Sequence, residues 1–375
     1  MRHVAANTLT IVILLLMAGW GVIQWGQSVY TGPGPLTTAA YLEIPRGANL
    51  AETTERLEAI GAIESGAIFR IGMRYSGNER EIKAGVYELP AGASMQEIAS
   101  TVISSSGLSS RYRVTFRLGA DGADLQMADL LADDPSAQDF ETVAEMEPLL
   151  DAGSTVDVRV TVPEGLTSHE IVTALADVEY LTGEIEEVPA EGALAPDTYS
   201  FRRGAERQDL IGRMAAAQER ILAEAWEARG SDLPLSEPYE ALILASIIEK
   251  ETGVAEERGT VASVFVNRLR RGMRLQTDPT VIYGITQGRE RLGRGLRRSE
   301  LDAPTPYNTY VIEGLPPTPI ANPGRASIAA AVQPDPTEYL FFVADGTGGH
   351  VFSTSLEEHN RNVARWREIE AQRSE

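Results

Sequence analysis

A chain of 375 residues exceeds the ~100–200 residues usual for one domain, so two or more domains are expected. Apolar residues at 43% and charged residues at 23% are ordinary for a globular protein and exclude both wholesale disorder and a polytopic membrane protein. With 54 acidic against 33 basic residues the formal charge is -21, which disfavours nucleic acid as a partner; the absence of cysteine excludes disulfides, a thiol nucleophile, cysteine-ligated zinc and a lipidated cysteine anchor.

No charged residue stands between His3 and Glu43, and Leu9 to Ile23 is almost continuously apolar. Counted from Val4 to Trp25 the uncharged run is roughly 20 residues, enough for a helix to cross a bilayer. Trp20, Trp25 and Tyr30 suit the outer interface, and Arg2 before the run places the N-terminus in the cytoplasm. The competing reading, a cleaved signal peptide, lacks a close small-x-small site, and either reading exports the body of the protein. Thr31 to Ala40, rich in Gly and Pro, reads as a linker.

A phrase then recurs: Ile44-Pro45-Arg46-Gly47, Leu89-Pro90-Ala91-Gly92 and Val162-Pro163-Glu164-Gly165. Each precedes a stretch with helical periodicity, such as Leu50, Thr54 and Leu57 or Met95, Ile98 and Val102, with Asn49, Ser94 and Thr167 or Ser168 as expected caps. Lys83 to Leu89 reads as a strand, and Val156 to Val162 alternates as a half-buried strand does. A small strand-turn-helix module is therefore expected more than once. Between them, about 108–153, lies an acidic stretch with no basic residue after Arg117, expected to be a solvated insertion.

From Leu210 onward helices dominate: Leu210–Arg229, Tyr239–Thr252, Glu257–Arg270 and Ser355–Ala371. Arg271 to Pro336, rich in Pro, Gly, Asn, Thr and Tyr, is too long for an idle connection.

In the second of these helices Leu244, Ile247, Ile248 and Glu251 stand at i, i+3, i+4 and i+7, so Glu251 continues an apolar stripe, while Glu249 lies about 200° around the helix. Apolar surroundings and the negative helix end both disfavour an ionised Glu251 and raise its pKa, which is what a general acid needs. The alternative is a structural glutamate paired with Arg258 or Arg268. Four histidines without paired spacing and no G-x-S-x-G elbow argue against metal and serine chemistry, and no cofactor is implied. Downstream, Gln276, Thr277, Asp278, Tyr283, Tyr307, Asn308, Thr309, Tyr310 and Asn322 put amides, hydroxyls and aromatic rings on proline-flanked loops, which suits sugars.

The phrases Ala245-Ser246-Ile247-Ile248-Glu249-Lys250-Glu251-Thr252, Val261 to Leu269, Gly272 to Gly284, Tyr307-Asn308-Thr309-Tyr310, Gly314-Leu315-Pro316-Pro317 and Phe342 to Gly346 resemble the endolytic murein transglycosylase family. Glu191 to Tyr199 matches it too. The resemblance implies an α+β protein with a transmembrane helix, small LysM-like α/β modules and a mainly helical, lysozyme-like catalytic domain with long loops. The expected order is stub and anchor 1–30, linker 31–40, LysM-like glycan-binding module 41–106, a second module with the acidic insertion 107–205, and the catalytic domain 206–375.

It further implies a single-pass protein of the bacterial inner membrane with a periplasmic body. Its substrate would be peptidoglycan glycan strands, with peptidoglycan synthases as candidate partners. Glu251 falls on the family's catalytic glutamate. The implied reaction cleaves the β-1,4 bond after N-acetylmuramic acid and leaves a 1,6-anhydro end, which needs no second carboxylate. A hydrolytic muramidase using Asp278, or a non-catalytic wall-binding scaffold, are the alternatives; a hydrolase would need its second carboxylate ~5–9.5 Å away.

Overall fold

The structure is a computed structural model that describes residues 2–104, 110–132, 136–151 and 154–373, with the side chains of 2–14 and 373 left out. In chain order it runs α1 (Arg2–Thr31), β1 (Ala40–Ile44), α2 (Leu50–Ala59), α3 (Gly66–Tyr75), β2 (Gly85–Leu89), α4 (Met95–Ile103), β3 (Tyr112–Gly119), β4 (Gly122–Asp129), β5 (Gln138–Phe140), α5 (Val143–Met146), β6 (Val156–Thr161) and α6 (Ser168–Ala176). There follow β7 (Leu181–Thr182), β8 (Thr198–Phe201), β9 (Ala205–Glu206), α7 (Arg207–Glu227), α8 (Pro238–Glu251), α9 (Arg258–Arg270), α10 (Asp278–Thr286), α11 (Arg298–Leu301), α12 (Arg325–Val332), β10 (Phe341–Ala344), β11 (His350–Ser353) and α13 (Leu356–Arg373). The α+β class agrees with expectation. β3 to β6 and β8 form one sheet in the order β5-β4-β3-β6-β8.

The chain divides into two compact units, Met1–Val114 with Gln126–Asp157, and Thr115–Leu125 with Val158–Glu375. The second takes in α6 and β8 together with the segment from 206 onward. Side-chain bonds explain why: Asn322 accepts from Leu194 N (2.9 Å) and donates to Leu166 O (3.0 Å), stitching 160–195 to the loops after α11.

In the first unit β1 and β2 pair antiparallel, Ala40 opposite Leu89, over a core of Leu42, Ile44, Leu57, Phe69, Met73, Leu89 and Ile98. The first two Pro-Gly phrases thus belong to one module rather than to two copies. Gly47, Gly92 and Gly165 all take φ between 72° and 86°, which explains the glycine in each phrase. The helices that follow carry full capping boxes, Asn49 with Glu52, Ser94 with Glu97 and Thr167 with Glu170. Asn49→Ala is expected to lower stability by about 1 kcal/mol, read as a shift in the denaturant midpoint of the full chain. An unmoved midpoint would mean that the cap is dispensable.

The apolar run expected to anchor the chain lies within α1, but its first part falls at residues whose side chains are outside the described ones. Among the described residues no helix is long and apolar enough to cross a membrane. Leu15, Met17, Trp20, Ile23 and Trp25 are all exposed. The acidic stretch is not simply a solvated insertion: it opens with β3, where Tyr112, Val114, Phe116 and Leu118 are buried at every second position.

In the second unit α8 is the central helix, packed by α7, α9, α10 and α12. Ala241 through Ile248 are all buried, so the middle of the helix is buried all round rather than striped. This corrects the expectation that one face singles out Glu251.

Candidate active site

α8 stops at Glu251, where Thr252 turns to extended backbone with its N–H still bonded to Ile248 O (3.2 Å). The Glu251 side chain thereby leaves the apolar core at the helix end and enters a cavity of about 360 Å³. Glu251, Gln276, Thr277, Asp278 and Tyr310 line it, together with Arg268, Leu275, Phe341, Phe342, Leu356 and His359.

Glu251 accepts a hydrogen bond from the Thr277 hydroxyl, and among the described residues it has no ion-pair partner. Burial drives its pKa above the ordinary carboxylate range; the Thr277 bond opposes this, the Asp278 charge adds to it, and His350 and Arg268 oppose it. Both structural partners considered from sequence are occupied elsewhere. Arg258 lies 4.0 Å from Glu164. Arg268, 7% exposed, donates to Leu340 O and Leu275 O, each at 2.7 Å. Glu249 plays a different part from Glu251, accepting the Gly324 N–H (2.9 Å) where a Cβ on Gly324 would collide with Glu164.

Thr277 is fixed by its backbone. Its N–H bonds Thr309 Oγ1 (3.0 Å), Gln276 N–H bonds Thr309 O (3.1 Å), and Gln276 itself holds a left-handed φ of 50°. Asp278, first residue of α10, accepts from the Tyr310 hydroxyl at 2.6 Å.

The remaining expected site residues lie elsewhere. Tyr283 donates to Glu191 Oε2 (3.2 Å) and packs on Tyr307 at 5.1 Å between ring centres, while Tyr307 bonds Thr318. Asn308 is fully buried, donating its amide N–H groups to the carbonyls of Glu300, Leu301 and Ala303 and accepting at its oxygen from Tyr310 N. Thr309 and Asn322 are buried with their polar groups in use. These three serve the loops, not the cavity surface, because their hydrogen-bonding capacity is already taken up by protein.

Sequence reasoning leaves out the wall contributed by Phe341, Phe342, Leu356 and His359. His359 stacks on Phe341 (5.1 Å, 23° between planes), and burial, with Arg268 nearby, keeps it toward its neutral form. His350 is held by Glu257, Nδ1 to Oε2 at 2.7 Å. The signal available beforehand is the family phrase at Phe342 alone.

The pattern of the YceG-like family matches residues 42–147 and 137–365. The chain belongs to this family. The endolytic murein transglycosylase of Bacillus subtilis (strain 168) is 30% identical to it, over 86% of this YceG-like chain and 84% of the relative's own length. The endolytic murein transglycosylase of Streptococcus pneumoniae strain D39 is 27% identical, and there the match takes in 96% of this chain but only 65% of the relative. A solved YceG-like protein of Listeria monocytogenes aligns over 86% of this chain and 98% of its own, at 26% identity and a TM-score of 0.45.

Proposed function

We propose that this YceG-like chain is an endolytic peptidoglycan lytic transglycosylase with Glu251 as its acid and base. The observation that carries the reading is the Glu251 carboxyl, raised in pKa by burial, presented at a helix end to an aromatic-walled cavity and held by one hydroxyl. The names of the relatives support the substrate. Glu251 gives its proton to the glycosidic oxygen as the muramyl C1–O bond breaks. As a carboxylate it then takes the proton of the muramyl 6-hydroxyl while that oxygen bonds the anomeric carbon, so no water is consumed and a 1,6-anhydro end results.

Gln276, Thr277, Asp278 and Tyr310 would contact sugar in the cleft, and Tyr283 and Tyr307 further along; Asn308, Thr309 and Asn322 would position the loops. The apolar N-terminal run supports an inner-membrane anchor with the body outside. The separately cored strand-helix-helix-strand of β1 to β2 supports a LysM-like glycan-binding role for about 41–106.

A second reading, hydrolysis, is favoured by one observation: Asp278 shares the cavity. Mass spectrometry of cleaved strands separates the two. Anhydro-muramyl ends are expected; reducing ends, one water heavier, would make the protein a muramidase.

The acid must start protonated, so kcat/KM is expected to fall as pH rises through the elevated Glu251 pKa. Thr277→Val removes the hydroxyl that opposes the elevation and should move that fall to higher pH. A pH-rate profile that does not move, or moves down, would contradict the assignment of Thr277.

A further inference from the structure

The end of α10 away from Glu251 faces a second cavity, of about 370 Å³, whose lining includes Ser168, His169, Glu191, Tyr283, Gln287 and Arg289. Asp278, lining the first cavity, opens α10, and Tyr283 and Gln287, lining the second, follow it about 8–14 Å along the helix axis by its rise per residue. A strand engaged at Glu251 covers that distance within a short run of sugars.

Tyr283 is immobilised there by Glu191 and Tyr307, which makes its ring a rigid platform. The other Glu191 oxygen accepts from Ser168 N (2.8 Å) and Asn322 Nδ2 (3.2 Å), and burial works against its ionised form. Arg289, Arg291, Arg294, Arg297 and Arg298 follow closely in sequence, with Glu290, Glu300 and Asp302 among or just after them, and of these arginines it is Arg289 that lines the cavity. Arg291 pairs with Asp121 (3.3 Å), Arg294 with Glu300 (2.6 Å) and Arg298 with Asp302 (3.0 Å), and Arg297 acts on Glu300. Arg289 has no ion-pair partner among the described residues, and it lines the cavity.

We propose that this second cavity receives the anionic peptide borne by a muramyl residue of the strand, with Arg289 taking a peptide carboxylate beside the Tyr283 ring. The proposal rests on the peptidoglycan reading and sharpens it: the substrate is a strand that still carries its peptides. A concave site with one free guanidinium and a fixed ring suits a single peptide, whereas an anionic lipid surface would call for an exposed, flat array of cations.

The test compares full-length wild type with Arg289→Gln and Arg289→Glu on two preparations of the same glycan strands, one bearing peptides and one stripped of them by an amidase. On peptide-bearing strands KM is expected to rise about tenfold for Arg289→Gln and further for Arg289→Glu, with kcat held, as for loss of a charge-assisted bond. On stripped strands KM should stay near wild type. An equal change on both preparations, or none, would overturn the proposal, as would an unchanged KM with lost binding to phosphatidylglycerol vesicles. If the wild type cleaves neither preparation, the transglycosylase reading fails, and co-sedimentation decides the inference by itself. Weaker retention of Arg289→Gln on peptide-bearing strands alone supports it, and equal retention overturns it.

Discussion

Replacing Glu251 by glutamine is expected to lower strand cleavage by about 10²–10⁴-fold, the usual share of a general acid-base group. The same substitution should raise the melting temperature. Glu251 is half-buried with no cation paired to it among the described residues, so its ionised form is disfavoured in the fold, and glutamine removes the charge while keeping the shape and an acceptor for Thr277. The pH dependence follows from the sign of the shift. A folded pKa above the unfolded value means that the folded state binds the proton more tightly, so the penalty is absent well below the ordinary carboxylate range. It grows as pH rises from there through the elevated value, and is constant above it. The stability gain of Glu251→Gln over wild type should therefore be larger at pH 8 than at pH 4. Glu249→Gln offers the contrast, since an amide oxygen can still accept from Gly324 N and most activity should survive. Equal loss in the two variants, by anhydro-muropeptide yield, would remove the distinction between the carboxylates.

Arg268→Met is expected to cost about 2–6 kcal/mol, because it strands two buried carbonyls, Leu275 O and Leu340 O, at about 1–3 kcal/mol each. That is a large fraction of a typical domain's stability of about 5–15 kcal/mol. The two carbonyls belong to the loop before α10 and to the residue before β10, so the guanidinium ties these two segments together. Arg268→Lys keeps the charge but not the planar fork and should recover only part of the loss. Since the Arg268 charge also opposes the upward shift of Glu251, Arg268→Met should carry the alkaline fall in cleavage to higher pH. Urea unfolding and a pH-rate profile check the two effects separately. A variant as stable as wild type would mean that water takes over both carbonyls.

Local chemistry was the legible part of this protein. Gly47, Asn49, Ser94 and Thr167 declare turns and caps within a few residues, and the structure puts left-handed turns and capping boxes there. Long periodic segments were equally plain, with Leu210–Arg229 found at Arg207–Glu227 and Ser355–Ala371 at Leu356–Arg373. What lay beyond the sequence was which side a residue faces once several elements meet. Periodicity gave α8 one buried face, but four neighbouring helices cover it all round. Asn308 and Asn322 read as sugar ligands because an amide suits a hydroxyl; the same amide suits a carbonyl equally well, and only the folded loops decide between them. Phe341 and His359 gave no sign of their role, for they reach the cavity from a hairpin and a helix distant in sequence.

That distance has a bearing on biosynthesis. One wall of the cleft is made by Phe341, Phe342, Leu356 and His359, on β10 and α13, while Glu251 ends α8 much earlier in the chain. A polypeptide made from its N-terminus exposes the carboxyl first and encloses it last. The wall around Glu251 is completed only once β10 and α13 have been made, so an unfinished chain carries the glutamate in a more open cleft.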